Sequence, residues 1–208
     1  GGLGLGTFEY CLICEQLSRG WMSVASIVAR AQVGWLKSSM SEEMRAKYLP
    51  MVVRGEYLNA SALSEPDTGS DVASMKATAT PGGDGYLLNG TKIWITNAAV
   101  ADAGIIFAYT DRAQKHRGMS AFYVDLNQPG VSRRELDKLG THASPTGELA
   151  FESFRVPRER LIGKEGDGFK ICMRHLNHTR LGCAAGAVGL ARAARDAAVS
   201  YANQREQF

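Results

Sequence analysis

The sequence predicts an α+β fold, with helices at both ends and a sheet domain between them. Apolar residues recur at helical spacing up to about residue 55, and short β-rich runs separated by turn residues follow. A long stretch without proline then begins at Asp167. Because no helical pattern interrupts the β-rich runs, we expect an antiparallel β-barrel or sandwich in the middle. The predicted parts are residues 1–56, 57–160 and 161–208.

Composition and charge exclude several classes of protein. The 208 residues are 45% apolar and 22% charged, and 24 Lys and Arg against 21 Asp and Glu give a net charge of +3. This surplus is small and scattered, so it indicates no nucleic-acid partner. No apolar run approaches the ~20 residues that a membrane span needs. Neither the CxxC at Cys11 and Cys14 nor the His175–His178 pair has the further ligands of a metal site, so we predict buried thiols in a reducing compartment and no metal.

The first part of the chain is predicted to be helical. The segments FEYCLICEQL, MSVASIVARAQVGWL and SEEMRAKYLPMVV show apolar residues at i, i+3 and i+4, with breaks at Gly20 and around residues 38–41. Ser41, followed by two glutamates, is typical of a helix N-cap.

The middle part is predicted to consist of short strands. Pro-Gly-Gly-Asp-Gly at 81–85 and the pair Asn89-Gly90 are both turn signals. Further strands are expected at 104–110, 120–126, 131–136 and 148–156.

The last part is predicted to be one long helix from Asp167 to the end. Gly182, Gly186 and Gly189 form a face of small residues on it. Glycine lowers helix propensity, so we expect a neighbouring helix to approach this face closely. We expect that neighbour to lie outside the chain, leaving the face exposed. The start without Met and the stop at Phe208 within a helical pattern also predict a piece of a longer protein.

Two polar stretches are candidate ligand sites. Residues 62–71, ALSEPDTGSD, either offer N–H groups and hydroxyls to an anionic or polar ligand or form a self-capped turn. In residues 89–97, NGTKIWITN, Trp94 and Thr96 are two positions apart and therefore share a strand face. That pair either offers a wall and a hydroxyl to a planar ligand or belongs to the core. GGLGLG at 1–6 does not fit a phosphate loop.

Taken together, SEPDTGSD, NGTKIWITN, RVPRERLIG and EGDGFKICMRHLNHTRLGCAAGAVGLA resemble the acyl-CoA dehydrogenase family of flavoenzymes, over essentially all 208 residues. The resemblance implies a helical N-terminal domain, a β domain, the first helix of a C-terminal helical bundle, and FAD as cofactor. It implies α,β-dehydrogenation of an acyl-CoA thioester, with the β-hydride passed to flavin N5. The chain resembles the middle half of such an enzyme, so we expect it to be inactive alone.

The resemblance also assigns cofactor contacts. The loop at 63–70 matches the segment around the isoalloxazine and pyrophosphate, and Ser64 keeps the hydroxyl of the family's usual threonine. Trp94 would cover one flavin face, Thr96 would bond near N5, and Arg205 would reach the FAD phosphates across a dimer interface. The implied cofactor-binding residues are Leu63, Ser64, Gly69, Ser70, Trp94, Ile95, Thr96, Arg205, Gln207 and Phe208.

The substrate is implied to bind along the long helix, with Arg180 directed towards the CoA nucleotide. The family's general base, a glutamate, stands either at the position of Thr179 or beyond Phe208. Threonine cannot act as that base at neutral pH, so no catalytic residue is predicted within the chain. Glu65 and Asp71 are implied to be loop-structural. The implied substrate-binding residues are Ser70, Leu176, Asn177, Thr179 and Arg180.

The same resemblance implies a homodimer or homotetramer, with electron-transfer flavoprotein as the electron acceptor. The implied location is the cytoplasm, or the mitochondrial matrix in a eukaryote. An acyl-CoA oxidase and a non-catalytic FAD-binding or scaffold subunit remain as alternatives. The acyl group is open, since Arg30, in an apolar stretch, either lies on a helix surface or interface or meets the distal carboxylate of a dicarboxylyl-CoA.

Overall fold

The computed structural model describes residues 3–29 and 40–208. In these ranges the predicted order of helices, sheet and long helix is confirmed. The helices are α1 (Thr7–Ala29), α2 (Glu42–Val53) and α3 (Gly168–Gln204). The strands are β1 (Asn59–Ala62), β2 (Thr78–Gly82), β3 (Gly85–Thr96), β4 (Ala103–Tyr109), β5 (Met119–Asp125), β6 (Val131–Glu135) and β7 (Thr146–Pro157).

The described residues divide into two compact units. The helical unit contains residues 3–29, 140–144 and 176–208, and the sheet unit contains residues 40–139 and 145–175. The division into 1–56, 57–160 and 161–208 stays a prediction.

The sheet of the sheet unit is mixed rather than wholly antiparallel. Its seven strands follow the order β1-β4-β2-β3-β7-β6, and β5 pairs with β4. The β2–β3, β3–β7, β4–β5 and β6–β7 pairs are antiparallel, whereas β1 and β2 run parallel to β4. Parallel strands need a long connection, and the β2–β3 hairpin forms part of the connection from β1 to β4. The sequence signals for separate strands carry no information about this crossover.

The core of the sheet unit is made by alternate residues of the strands, because successive side chains of a strand point to opposite faces. Strand β4 differs, since all seven of its residues are buried. Large fully buried core side chains include Leu88, Ile106, Phe122, Leu126 and Leu149.

Local signals for the helix ends are confirmed in two places. Ser41 caps α2, and its hydroxyl accepts a hydrogen bond from the backbone N–H of Met44 at 3.3 Å. Helix α1 is interrupted at Trp21, whose φ of −161° and ψ of 105° are not helical. This residue directly follows Gly20, where the sequence predicts a break.

One of the two predicted turns is wrong. The turn at 81–85 forms, with Gly82 paired to Gly85 across the β2–β3 hairpin. Asn89-Gly90, by contrast, lies inside β3, where the register against β7 shifts between Leu88 and Gly90. Gly90 has a φ of +137°, and a Cβ there would lie 2.8 Å from the Cα of Ala77. The glycine therefore serves a bulge and a close backbone approach, not a chain reversal.

The prediction that the glycine face of the last helix lacks a partner in this chain is also wrong. Within the helical unit, α1 packs against that face of α3. A Cβ at Gly186 would lie 2.9 Å from the Ser18 Oγ, and one at Gly189 would lie 3.1 Å from the Arg19 backbone N. An ion pair of 2.8 Å joins Arg19 to Asp196 beside the contact. The small residues thus permit close packing of two helices of the same chain, which spacing alone does not identify.

The structure also bears on the cysteines, on metal binding and on membrane spans. All four cysteines are free, with Cys14 and Cys172 buried, Cys11 partly buried and Cys183 exposed. Within residues 3–29 and 40–208, no three His, Cys, Asp or Glu side chains come together as metal ligands would. The helices of the described part are too short or too polar to cross a bilayer.

Candidate functional site

The loop after β1 is shaped by a tight turn. The Glu65 N–H donates to the Thr68 carbonyl at 2.8 Å, and the Thr68 N–H donates to the Glu65 carbonyl at 3.1 Å. Pro66 occupies the second position, where its fixed φ favours a turn. After the turn, Gly69 and Ser70 are exposed, so the loop presents its backbone and a hydroxyl to solvent.

The loop ends in a second turn that uses Asp71. The Asp71 carboxylate accepts a hydrogen bond from the Ser74 hydroxyl, and its carbonyl accepts from the Ser74 N–H at 3.0 Å. Asp71 therefore hydrogen-bonds to the last residue of the short 3₁₀ turn, Val72–Ser74, that follows it in the chain. This is the loop-structural role that the family resemblance implies.

Glu65 and Lys92 form a buried ion pair beneath the loop. The Glu65 Oε1 lies 2.8 Å from the Lys92 Nζ, and their side chains are 4% and 0% exposed. The same carboxylate accepts the backbone N–H groups of Lys76 at 2.5 Å and Ala77 at 3.0 Å. The Lys92 ammonium also donates to the Leu63 carbonyl at 3.2 Å.

Burial and pairing act in opposite directions on these two charges. Burial alone raises the pKa of Glu65, but the Lys92 ammonium and two backbone N–H groups outweigh it and hold that pKa below its usual range. Burial lowers the pKa of Lys92, and Glu65 opposes this shift. A second ion pair in the loop, Lys76–Asp67 at 2.6 Å, has both side chains 67% exposed, so it contributes little.

The end of β3 lies against the loop. The Ile93 N–H donates to the Ser64 carbonyl at 2.9 Å, which ties the two candidate stretches together. The register against β7 shifts between Lys92 and Ile95, and Trp94 takes a left-handed φ of +62°. Trp94 as a whole is 61% exposed, whereas the Ile95 side chain is in the core. A ligand contact by Ile95 would therefore come from its backbone.

This arrangement fits a planar, polar ligand. Trp94 offers an exposed aromatic face, and the partly buried Ser64 and Thr96 lie in the two segments that Ile93 joins. The Thr68 hydroxyl oxygen is buried without a hydrogen-bond partner in the part of the chain that the structure describes. Buried polar atoms are normally satisfied, so this orphan atom marks the loop as one that a ligand or water completes.

The predicted substrate residues lie on α3, in the helical unit. The Arg180 guanidinium donates to the Asn177 side-chain oxygen at 3.0 Å, and both side chains are exposed. The Thr179 hydroxyl donates to the Leu176 carbonyl at 3.4 Å. The ring of His178 stacks on Tyr10 of α1 at a centroid distance of 4.7 Å.

The last predicted cofactor residues follow the end of α3. The helix ends at Gln204, four residues before the predicted end, and Arg205, Gln207 and Phe208 are exposed. The structure thus groups the predicted residues into two sets, 63–96 in the sheet unit and 176–208 in the helical unit. Arg30, the candidate for a distal carboxylate, lies outside the described residues.

Sequence reasoning missed Lys92 as a site residue. The signal was a lysine in a strand that is otherwise apolar on its buried side, where a charge needs a partner. It also missed an open cavity of about 610 Å³ in the sheet unit, whose walls include Asp125, Glu152 and Arg160. No sequence motif marks that cavity.

Three family models match the chain in order. They describe the N-terminal, middle and C-terminal domains of acyl-CoA dehydrogenases, and they match residues 1–56, 60–154 and 166–208. Glutaryl-CoA dehydrogenase of Desulfococcus multivorans is 44% identical over 211 residues, which cover all of this chain and 54% of that protein. The mitochondrial 2-methylacyl-CoA dehydrogenase of Solanum tuberosum is 41% identical, over all of this chain and 52% of that protein.

Solved structures agree with these matches. A glutaryl-CoA dehydrogenase solved with glutaryl-CoA has a TM-score of 0.95 at 44% identity, over all of this chain and 54% of that one. A chain in a structure of the electron transferring flavoprotein of Acidaminococcus fermentans has a TM-score of 0.95 at 41% identity. The match covers all of this chain and 56% of that one. A glutaryl-CoA dehydrogenase from Mycobacterium smegmatis in complex with FADH2 has a TM-score of 0.91 at 32% identity, and the match covers 99% of this chain and 53% of that one.

The three matched domains account for most of the chain. The chain belongs to the acyl-CoA dehydrogenase family. It spans about half the length of the curated relatives that it matches.

Proposed function

We propose that the chain is the part of an FAD-dependent acyl-CoA dehydrogenase that holds the flavin ring and one wall of the acyl-CoA channel. The observation that carries this proposal is the junction of the two stretches, where the Ile93 N–H donates to the Ser64 carbonyl at 2.9 Å. It places a hydroxyl-bearing loop beside a strand end with an exposed indole. FAD, when bound, supplies the acceptor for the hydride of the substrate.

In the proposed site, the chain's own groups bind and orient the ring. The hydroxyls of Ser64 and Thr96 would hydrogen-bond its polar edge, and Trp94 would cover one face and keep water from it. The exposed Gly69 and Ser70 would leave backbone and a hydroxyl for the pyrophosphate and the pantetheine side of CoA. Ile95 would contribute through its backbone, because its side chain is in the core.

The second set of residues would serve the substrate and the phosphates. We propose that Leu176, Asn177 and Thr179 line the acyl-CoA channel and that Arg180, already held by Asn177 at 3.0 Å, meets the CoA nucleotide. Arg205, with Gln207 and Phe208, would reach FAD phosphates in a partner subunit of a homodimer or homotetramer. A planar guanidinium suits that anionic target.

The catalytic base is proposed to come from outside these 208 residues. The family resemblance puts Thr179 at the alternative base position, and a threonine hydroxyl, which here donates to the Leu176 carbonyl at 3.4 Å, is too weakly basic to remove the α-proton at neutral pH. We expect Thr179→Ala in the full-length protein to keep flavin reduction by substrate within about tenfold of wild type, since no proton transfer is lost. Stopped-flow reduction measures this. Abolished reduction with intact FAD binding would contradict it.

The proposal is tested with the full-length protein in the absence of oxygen. We expect it to purify with FAD and its flavin absorbance to bleach when a straight-chain, branched or dicarboxylyl-CoA thioester is added. Trp94→Leu should weaken FAD binding, and Trp21→Leu is the matched control, because its indole is 60% exposed and lies outside the site set. A protein that takes up no FAD, or equal effects of the two substitutions, would refute the assignment.

The proposal also includes the electron acceptor and the cellular location of the protein. We propose electron-transfer flavoprotein as the acceptor, supported by the structural match in a study of such a flavoprotein. Reoxidation by oxygen as fast as by that flavoprotein would instead indicate an oxidase, and FAD binding without any reduction would indicate a scaffold subunit. Relatives named as mitochondrial support a mitochondrial matrix location in a eukaryote, and the cytoplasm otherwise.

A further inference from the structure

A buried cation lies beneath both proposed flavin segments. The Lys92 side chain is fully buried, two residues before Trp94. Its ammonium contacts the Leu63 carbonyl at 3.2 Å, the Glu65 carboxylate at 2.8 Å and the Met75 sulfur at 3.7 Å. A single side chain on β3 therefore holds the start of the loop.

Glu65 extends this connection to the other end of the loop. Its two oxygens accept the backbone N–H groups of Lys76 and Ala77, eleven and twelve residues further on. The ion pair thus joins three segments: residues 63–65, residues 75–77 and strand β3. The segment between the first two contains Gly69 and Ser70.

The burial of this pair is informative because it is not the most stable solution. Removing two charges from water is costly, and well-packed apolar residues in the same place would often stabilise a protein equally or more. What an ion pair adds is a defined geometry, since the ammonium and the carboxylate must meet and every remaining polar atom must be satisfied. Glu65 and Lys92 meet that condition with the two amides and the Leu63 carbonyl.

We propose that Lys92 and Glu65 are positioning residues of the flavin site, which hold the Leu63–Ser70 loop against β3 before FAD binds. The loop hydroxyl of Ser64 and the strand end with Trp94 are then arranged in advance, and binding orders no further backbone. This inference rests on the proposed FAD function. It assigns no proton transfer or contact with the reacting atoms to either residue.

The chain supplies a matched control for the test. The Lys76–Asp67 ion pair lies in the same loop and has the same chemistry, but both side chains are two-thirds exposed. In the full-length protein, Lys92→Met and Glu65→Gln each leave a buried charge unpaired, whereas Lys76→Met and Asp67→Asn do not. We expect the FAD dissociation constant, measured by flavin fluorescence with the apoprotein, to rise about tenfold or more for the first two and less than about twofold for the others.

A second readout separates positioning from general stability. We expect the flavin absorption band and the midpoint potential of the bound flavin to change in the Lys92 and Glu65 variants, because the polar contacts to the ring move. The control variants should keep both. Lys92→Met and Glu65→Gln proteins that fold, and whose FAD affinity and flavin spectrum match wild type, would overturn the inference.

A measurement on wild type covers the case in which those variants do not fold. Amide hydrogen exchange of the apoprotein reports the N–H groups of Lys76, Ala77 and Ile93, which we expect to be protected before FAD is added. Free exchange that slows only with FAD would overturn the inference, because the loop would then be ordered by the ligand. Lys92→Arg, which keeps the charge in a different shape, should fold and still alter the flavin spectrum.

The outcomes for the two proposals are distinct. A wild-type protein that binds no FAD refutes the proposed function and this inference with it. A wild-type protein that binds FAD, with variants that bind it equally well, refutes only the role of Lys92 and Glu65.

Discussion

Replacing Gly189 by alanine is expected to destabilise the helical unit, although alanine is the better helix former. A Cβ at Gly189 would lie 3.1 Å from the Arg19 backbone N and still closer to the Glu15 carbonyl oxygen. Both neighbours are backbone atoms of α1, so they cannot rotate away. The two helices would have to separate, which loosens the packing along their whole contact.

The magnitude follows from two opposing contributions. Overpacking a well-packed contact costs about 1–3 kcal/mol, and Gly189→Ala lies near the upper end, because backbone is the obstacle. Exchanging glycine for alanine within a helix contributes about 1 kcal/mol in the other direction. We therefore expect a net loss of about 2 kcal/mol. In a unit of this size about 1 kcal/mol shifts the unfolding midpoint by roughly 4–8 °C, so the midpoint is expected to fall by roughly 8–16 °C.

Two other helical glycines provide the controls. At Gly20 a Cβ would meet nothing within 4 Å, so Gly20→Ala should be neutral or stabilising by up to about 1 kcal/mol. At Gly186 the obstacle is the Ser18 hydroxyl, 2.9 Å away on a side chain that can rotate, so its effect should be intermediate. Thermal unfolding followed by circular dichroism measures the series. A Gly189→Ala protein as stable as the Gly20→Ala protein would show that α1 and α3 are not in close backbone contact at this glycine.

Three further predictions concern the capping of α2, the buried ion pair and the bulge in β3. Ser41→Ala removes the cap of α2 and should lower the free energy of unfolding by about 1 kcal/mol in urea titrations, whereas Ser41→Asp should restore it. Lys92 holds the folded-state pKa of Glu65 below its unfolded value of about 4.3, so the ion pair stabilises the fold above that pH, and this contribution is lost as the pH falls through the lower folded pKa. In urea titrations at several pH values, the free energy of unfolding of Glu65→Gln should therefore fall less steeply towards acid pH than that of wild type. The same pH dependence in both proteins would contradict this. Gly90→Ala combines a left-handed φ with contact against Ala77 and should cost about 2 kcal/mol or more by the same titration, so a neutral result would count against the bulge.

The sequence predicted those features of the fold that depend on local chemistry. The Ser41 cap, the break beside Gly20 and the hairpin at 81–85 each depend on residues within one turn of one another, and all three form. The positions of β4 to β7 were also predicted, from short β-rich runs bounded by turn residues, whereas β1 was not and Asn89-Gly90 was wrongly predicted as a turn within β3.

Features that depend on distant partners were not predictable in the same way. Asn89-Gly90 has the composition of a turn, but Gly90 instead allows the approach of Ala77, which no neighbouring residue reports. The glycine face of α3 indicated a close partner helix, and only the structure shows that α1 is that partner. Parallel pairing of β1 and β2 with β4 likewise depends on the path of the chain.

The candidate site shows the same division. The family motifs marked Ser64, Trp94 and Thr96 as candidates, and the structure shows the hydrogen bond that brings the loop and strand together. Lys92 lies within the NGTKIWITN motif, but the motif assigns it no role, because the role of this lysine depends on its burial and on its contact with Glu65, twenty-seven residues earlier. Buried polar partners of this kind become visible only when the fold brings them together.

Strand β6 influences how readily the edge of this sheet pairs with a strand from another molecule. It stands at one end of the strand order, where a sheet offers its backbone to any other strand. Its sequence, VSRRE, is largely charged, and Arg134 is anchored to Glu148 of β7 at 3.1 Å. Adding a strand from a second molecule would bring two such charged rows together and remove them from water. The edge therefore discourages sheet-to-sheet aggregation of newly made chains.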